Sequence, residues 1–306
     1  MPWPQVQVLP GPPIKMIEFD KVKRIVTHGG HAHRDDFLSV CFTLAMCAEQ
    51  KNYPELIRRD PTKQELKDFN VIVLDVGEQH KPELSNFDHH QFDRDAEPCC
   101  ALSLLLKDMT IYEEAQRGFR WLNISEKFDS KGPYFVANEL GIEWNKISDA
   151  TFSPIEEAIL FKFSQFTEFD SESLIYQLMI TIGSDLLKTL EQFTARWRLL
   201  SETLKTFKVD ENEIVLSLEV KGNEDPTFAL NAYIHEHHPN AIATVTFDDR
   251  GEGFCLYRLN DSSKIDFSQI ESHEQILFAH KNGFVAKTKF VLDIDELHTI
   301  IRKSLT

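Results

Sequence analysis

At 306 residues, with 42% hydrophobic and 27% charged side chains, the chain is long enough for two domains and has the make-up of an ordinary soluble globular protein. A formal net charge of −16 argues against a surface that coats long duplex nucleic acid by neutralising phosphates. It leaves room for a short or small phosphate substrate in a metal-filled cleft, because bound cations reverse the local field. No apolar run approaches the roughly 20 residues needed to cross a bilayer, so no membrane partner is expected.

The N-terminal stretch MPWPQVQVLPGPPIK has five prolines and no charge before Lys15. It lacks the basic start and apolar core of a signal peptide, and an extended, poorly ordered arm is expected over residues 1–15. KRIVTHGG reads as a short β-branched strand ending in a Gly-Gly loop. RDDFLSVCFTLAMCAEQK then shows helical periodicity, with Phe37, Val40, Cys41, Leu44 and Ala48 on one face. NVIVLDVG has the near-continuous apolar pattern of a strand buried on both faces, and PCCALSLLLKDM predicts another helix. Strands alternating with helices over residues 16–152 imply a parallel sheet with helices on both faces. Such sheets bind ligands beyond the carboxyl ends of their strands, where His28 and Asp75 fall. Residues 153–208 are strongly helical and read as a connector, with Gly183 a candidate break. Residues 209–306 alternate strands and helices, predicting a smaller α/β domain. The five cysteines show no CxxC spacing, which fits a reducing cytoplasm.

Four places supply hard or borderline metal ligands. THGGHAHRDD offers His28, His31, His33, Asp35 and Asp36; VLDVG offers Asp75; NFDHHQFD offers Asp88, His89 and His90; KFDSKGP offers Asp129. Singly, each has an ordinary explanation: a solvated loop, a turn-capping aspartate or an Asx turn. Together, mixed imidazoles and carboxylates without nearby cysteine suit Mn²⁺ and similar divalent ions rather than a structural zinc. A carboxylate at the end of a central strand can bridge two cations about 3.5–4 Å apart, the arrangement used in phosphoester hydrolysis. Neutral histidines keep such a site from gathering more negative charge than two dications balance.

The order His28…Asp35, Asp75, Asp88-His89-His90, Asp129 resembles the DHH phosphoesterase superfamily. Within it, THGGHAHRDD, LDVG and DHHQ are similar to the MYG1-like (UPF0160) branch, whose pattern reads THxGxxHxDE, DVG and DHHQ. FAHKNGFVAKTK near the C-terminus resembles that branch's VHxxGFIxxxKT element, so the likeness extends from about Lys21 to the end, weakly in the middle third. The resemblance implies an N-terminal domain carrying two Mn²⁺ or Mg²⁺ ions, Mn²⁺ first, and a smaller C-terminal domain that grips substrate. It implies His28 and His33 on the first metal, Asp35 on the second, Asp75 bridging, and His89 and Asp129 completing the second. His90 is expected to face the substrate phosphate, giving Asp75 and His90 the catalytic roles. Asp88 is expected to orient His89 or stand behind the ligands. His280, Asn282 and Lys287 become candidates for substrate contact. The chain departs from the wider superfamily in its first motif, which is His28-x4-His33-x-Asp35, and Asp36 stands where the branch has Glu.

The leading expectation is a divalent-metal-dependent phosphohydrolase, a 3′→5′ exonuclease on RNA or short oligonucleotides. Two alternatives stand beside it: a hydrolase of a small phosphate compound such as pyrophosphate or a nucleotide bisphosphate, and a non-enzymatic metal- or RNA-binding protein on the same scaffold.

Overall fold

The computed structural model describes residues 17–151, 153–220 and 227–306; the arm expected over 1–15 lies outside them. The chain divides into two compact units, residues 1–188 and 189–306. Among the described residues it is a mixed α/β protein with two six-stranded sheets and ten α-helices. None of those helices is long and apolar enough to cross a membrane.

In the first unit the elements run β1 (Arg24–Thr27), α1 (Arg34–Glu49), β2 (Glu55–Arg58), β3 (Val71–Leu74), β4 (His80–Lys81) and β5 (Asn86–Phe87). Then come α2 (Ala101–Asp108), α3 (Tyr112–Gly118), α4 (Leu122–Lys131), α5 (Pro133–Leu140), α6 (Trp144–Thr151), α7 (Pro154–Ser164) and β6 (Glu168–Phe169). The sheet order is β4-β5-β3-β1-β2-β6, parallel through its four central strands with an antiparallel strand at each edge. β3 is buried at every position, as its unbroken apolar run requires. Registers pair Thr27 with Leu74, Leu74 with Phe87, and Thr27 with Arg58. The central strands therefore end level, and the residues just beyond them leave the sheet side by side.

α8 (Leu174–Thr203) is one continuous helix. Gly183, a candidate break, instead permits close packing: a Cβ there would lie 2.0 Å from the Cys41 carbonyl oxygen on α1. Lys205–Lys208, included in the helical stretch by its sequence, begins a strand, because β-branched and aromatic residues pair across a tight turn at Asp210 (φ 53°). β6, within that same stretch, pairs with β2.

The second unit adds β7 (Lys205–Val209), β8 (Asn212–Ser217), α9 (Ala229–His237), β9 (Ala243–Phe247), β10 (Phe254–Arg258), β11 (Ile276–Ala279), β12 (Val285–Thr288) and α10 (Ile294–Lys303). Its sheet runs β11-β12-β10-β9-β8-β7 and is antiparallel except for β8 with β9. α10 starts with Asp293 accepting from the Glu296 amide while Glu296 accepts from the Asp293 amide. It buries Leu297, Ile300 and Ile301, spaced one turn apart, against the sheet core of Val245, Leu256 and Ala286.

Candidate metal centre

The level strand ends build the site. His28 follows β1, Asp75 follows β3, and Asp88-His89-His90 follows β5. β3 lies between β1 and β5, so Asp75 stands between His28 and His89. Asp75 adopts a left-handed backbone (φ 58°), as do Gly77 and Glu78 just after it. Aspartate tolerates this conformation better than most residues, and the turn folds its carboxylate back over the strand end.

The loop after β1 turns at Gly30 (φ 81°) and enters α1 with His33 at the cap. Asp36 accepts from the His33 amide at 2.8 Å, and both Asp35 and Asp36 lie in the first turn, where the helix dipole favours carboxylates. Asp129 sits on α4 rather than in the turn its KFDSKGP context suggests.

Three overlapping groups can each converge on one ion: His28, His33 and Asp75; Asp75, His89 and His90; His33, Asp35 and Asp129. In each, one ligand atom per residue lies within 4.8 Å of the others. Asp75 and His33 each belong to two groups. His89 Nε2 is 2.8 Å from Asp129 Oδ2 and 3.2 Å from Asp75 Oδ1; His28 Nε2 is 3.1 Å from Asp36 Oδ2 and 3.5 Å from Asp75 Oδ2. Despite these distances, His28 Nε2, His89 Nε2, Asp35 Oδ1, Asp75 Oδ1 and Asp129 Oδ2 are buried without a hydrogen bond. Buried polar atoms are rarely left so. Close, buried nitrogens and oxygens left without hydrogen bonds are groups that a cation would satisfy. The donor set of imidazole nitrogens and carboxylate oxygens fits Mn²⁺ or Mg²⁺.

The electrostatics agree with that fit. Burial, then the carboxylates of Asp75 and Asp129, pushes Asp35 well above the usual carboxylate range. Burial opposes a charge on His89, but Asp129 and Asp75 outweigh it and raise the imidazole to about 11. Asp36 beside His28 raises that ring to about 9 against the effect of burial. Crowded carboxylates hold protons tightly where they have no cation to face.

Asp88 is buried and pairs with His90, not His89: its Oδ1 lies 2.7 Å from His90 Nδ1 and accepts from the His90 amide, while Oδ2 accepts from the Glu78 amide at 2.6 Å. Burial disfavours its charge, but these bonds prevail and hold Asp88 below the usual range. His90 is 57% exposed, its proton affinity raised by Asp88. It lines a cavity of about 650 Å³ with His28, His33 and Asp75. A second cavity, of about 420 Å³, opens on His33, Asp35 and Asp129.

Two residues without an assigned role in the sequence complete the setting. Asp36, offered there only as one of several acidic and imidazole groups, is fully buried against His28. Arg58, at the end of β2, is 1% exposed and sits over the Phe163 ring at 4.5 Å. It donates to the carbonyl oxygens of Gly30, His31 and Phe163 and lies 3.6 Å from Asp36 Oδ2. Nothing local in the sequence marks Arg58, since β2, ELIR, has two charged residues in four. His31 itself is exposed and enters through its carbonyl alone.

His280, Asn282 and Lys287 belong to the second unit. His280 follows β11, its Nδ1 accepting from the Asn282 amide at 3.1 Å and its ring 4.2 Å from that of Phe284. Gly283 (φ 68°) packs on Asp266, whose Oδ1 a Cβ would meet at 1.9 Å. Lys287, on β12, is paired with the buried Asp248 carboxylate at 2.6 Å. His238 Nδ1 lies 3.0 Å from Glu213, and His237 packs on Tyr233 and Trp197.

Comparison with known proteins bears on residues 24–97. A family model described as "Uncharacterised protein family (UPF0160)", MYG1_exonuc, matches residues 24–97. Two curated relatives named "MYG1 exonuclease", from Rattus norvegicus and Mus musculus, are 41% and 40% identical over 68 residues, 22% of this chain. The matched stretch is 17% of the length of either relative. Among solved structures, RecJ from Thermus thermophilus in complex with Mn²⁺ is similar at 11% identity and TM-score 0.28, covering 93% of this chain and 52% of that one. An exopolyphosphatase-related protein from Bacteroides fragilis is similar at 10% identity and TM-score 0.25, covering 92% and 91%. Likenesses that loose carry no argument. The sequence match does, since it spans THGGHAHRDD, LDVG and DHHQ while leaving Asp129 and the C-terminal element outside. Over residues 24–97 the chain is similar to the MYG1-like (UPF0160) family.

Proposed function

We propose that the protein is a divalent-metal-dependent phosphohydrolase of the DHH type, acting as a 3′→5′ exonuclease on RNA or short oligonucleotides. The observation that carries this reading is the overlap of three ligand groups, joined through Asp75 and His33, whose members include buried, unbonded atoms of His28, Asp35, Asp75, His89 and Asp129. With His33 they would hold two divalent cations, Mn²⁺ in first place and Mg²⁺ as the alternative, with Asp75 shared. Such ions supply a water that ionises near neutral pH and positive charge against the phosphoryl oxygens. The chain's own groups do the rest. Asp88 fixes His90 through Nδ1, leaving Nε2 to meet a phosphate oxygen in the larger cavity. Asp36 and Arg58 hold the histidine loop in place.

Purified protein with Mn²⁺ is expected to release nucleoside monophosphates from a short RNA and to bind two ions per chain by elemental analysis. Asp75→Asn keeps a side chain that accepts a left-handed backbone, so it tests charge without refolding the turn. It and His89→Ala should each lower kcat by about 10³-fold or more, the size of losing a preorganised charge contact. Full activity in both variants, or fewer than two ions at saturation, would count against the assignment.

A second reading, a hydrolase of small phosphate compounds, draws support from the net charge of −16 and the Lys287–Asp248 pair, which already occupies that candidate phosphate cation. Turnover of pyrophosphate or a nucleotide bisphosphate faster than labelled RNA would favour it.

A further inference from the structure

Resting on the phosphoesterase reading, we propose that the smaller cavity beside the metal ligands, a space of about 420 Å³, seats a nucleobase next to the scissile phosphate. Its volume falls within the ~300–1,000 Å³ usual for small-molecule sites.

One side of the cavity is the ligand group itself, His33, Asp35 and Asp129. Apolar side chains also line it: Ile124 and Phe128, one turn apart on α4, and Leu160 of α7. Ile124 and Phe128 are backed by the small core of Val136, Ala137 and Ile147, which keeps the wall in place. The third side is Arg34, whose charge is already matched. Its Nε and Nη2 donate to the two Glu156 oxygens at 2.6 and 2.8 Å, and Nη1 donates to Ser125 Oγ at 3.0 Å.

This arrangement selects by charge. A second phosphate placed here would meet the Glu156 carboxylate, a guanidinium that already has its anion, and an apolar lining that offers it no donor. A flat, uncharged ring meets no such cost. It stacks on Phe128 and Leu160, and its N–H edge can reach the remaining lone pairs of Glu156. Because the cavity opens on the ligands, the part of the substrate adjoining the reacting phosphate is the part that meets these walls. The chemistry here fits a nucleotide and does not fit an inorganic polyphosphate.

The test compares a diadenosine dinucleotide with its analogue lacking both bases, using full-length protein in Mn²⁺. The base-containing substrate should show kcat/KM higher by about tenfold or more, the range of one base stacked on an aromatic side chain. Phe128→Ala, and Leu160→Trp, which fills the cavity from α7, should each bring that ratio close to one. Equal wild-type rates on the two substrates, or an unchanged ratio in both variants, would overturn the proposal. If neither substrate is cleaved, the phosphoesterase reading has failed, and binding alone decides the cavity's role. Calorimetry with adenosine 5′-monophosphate and ribose 5-phosphate should then show the nucleotide tighter by about tenfold in wild type and not in Leu160→Trp. Equal affinities, or no binding of either, would sink the inference.

Discussion

Asp108 illustrates what burial does to a single carboxylate away from the metal centre. It ends α2, where the helix dipole also disfavours an anion, and burial raises its carboxyl from 3.8 to about 6. The folded protein therefore holds this proton more tightly than the unfolded chain. The stability contributed is complete below about pH 4 and is lost as pH rises through about 6. Asp108→Asn should raise stability at pH 7 by about 1–2 kcal/mol after allowance for solvent screening, and flatten the pH 4–7 profile. Urea titrations at pH 4.5 and 7 check this; an equal shift at both would refute it. The candidate ligands can be picked out in the sequence because histidines and aspartates beside glycine loops at strand ends form a pattern with few structural uses. The burial of Arg58 and Asp36 cannot, because burial of a charge depends on partners from β2, α1 and α7 that no local pattern brings together.

Among the elements, β1, β3, α1 and α2 could be read directly, since each carries a strong period or an unbroken apolar run. β2 and β6 could not. ELIR has two charged residues in four and EF is only two long, so their strand state comes from pairing with neighbours rather than from propensity. Gly183 misled in the same way. Helix propensity alone predicts that Gly183→Ala stabilises α8 by about 1 kcal/mol. The methyl group would instead press into the Cys41 carbonyl and the Ala45 side chain, 2.0 and 2.9 Å away. Overpacking of that kind costs about 1–3 kcal/mol or more, so the net effect should be destabilising. A thermal melt in which Gly183→Ala unfolds above wild type would contradict the packing argument.

For the molecule as a whole, the decisive number is the charge of −16. Non-specific affinity for nucleic acid comes from cations that displace counterions, and here the balance runs the other way. Binding to duplex DNA in chelator should be weaker than roughly 10⁻⁵ M at physiological salt, towards the weak end of the usual non-specific range. Affinity for a short single strand should appear only with Mn²⁺. Fluorescence polarisation with and without chelator measures both, and tight metal-independent duplex binding would show that a basic surface has been overlooked. The sequence suggests a helical connector over 153–208, and the chain divides into its two compact units within that stretch, at 188/189 in α8. The mixed character of the second sheet is not legible in the sequence, because parallel pairing of β8 with β9 depends on a crossover through α9.

Arg58 ties three parts of the first unit to one strand end. One guanidinium grips the 28–33 loop by two carbonyls, α7 by the carbonyl and ring of Phe163, and α1 through Asp36. The loop bearing the histidines and the helix bearing Leu160 are thus clamped to the same strand end and cannot drift independently. Shortening the clamp, as in Arg58→Lys, should loosen them together. Hydrogen exchange would then quicken in residues 28–33 and in α7 to the same degree, and acceleration of only one would mean the coupling runs through some other path.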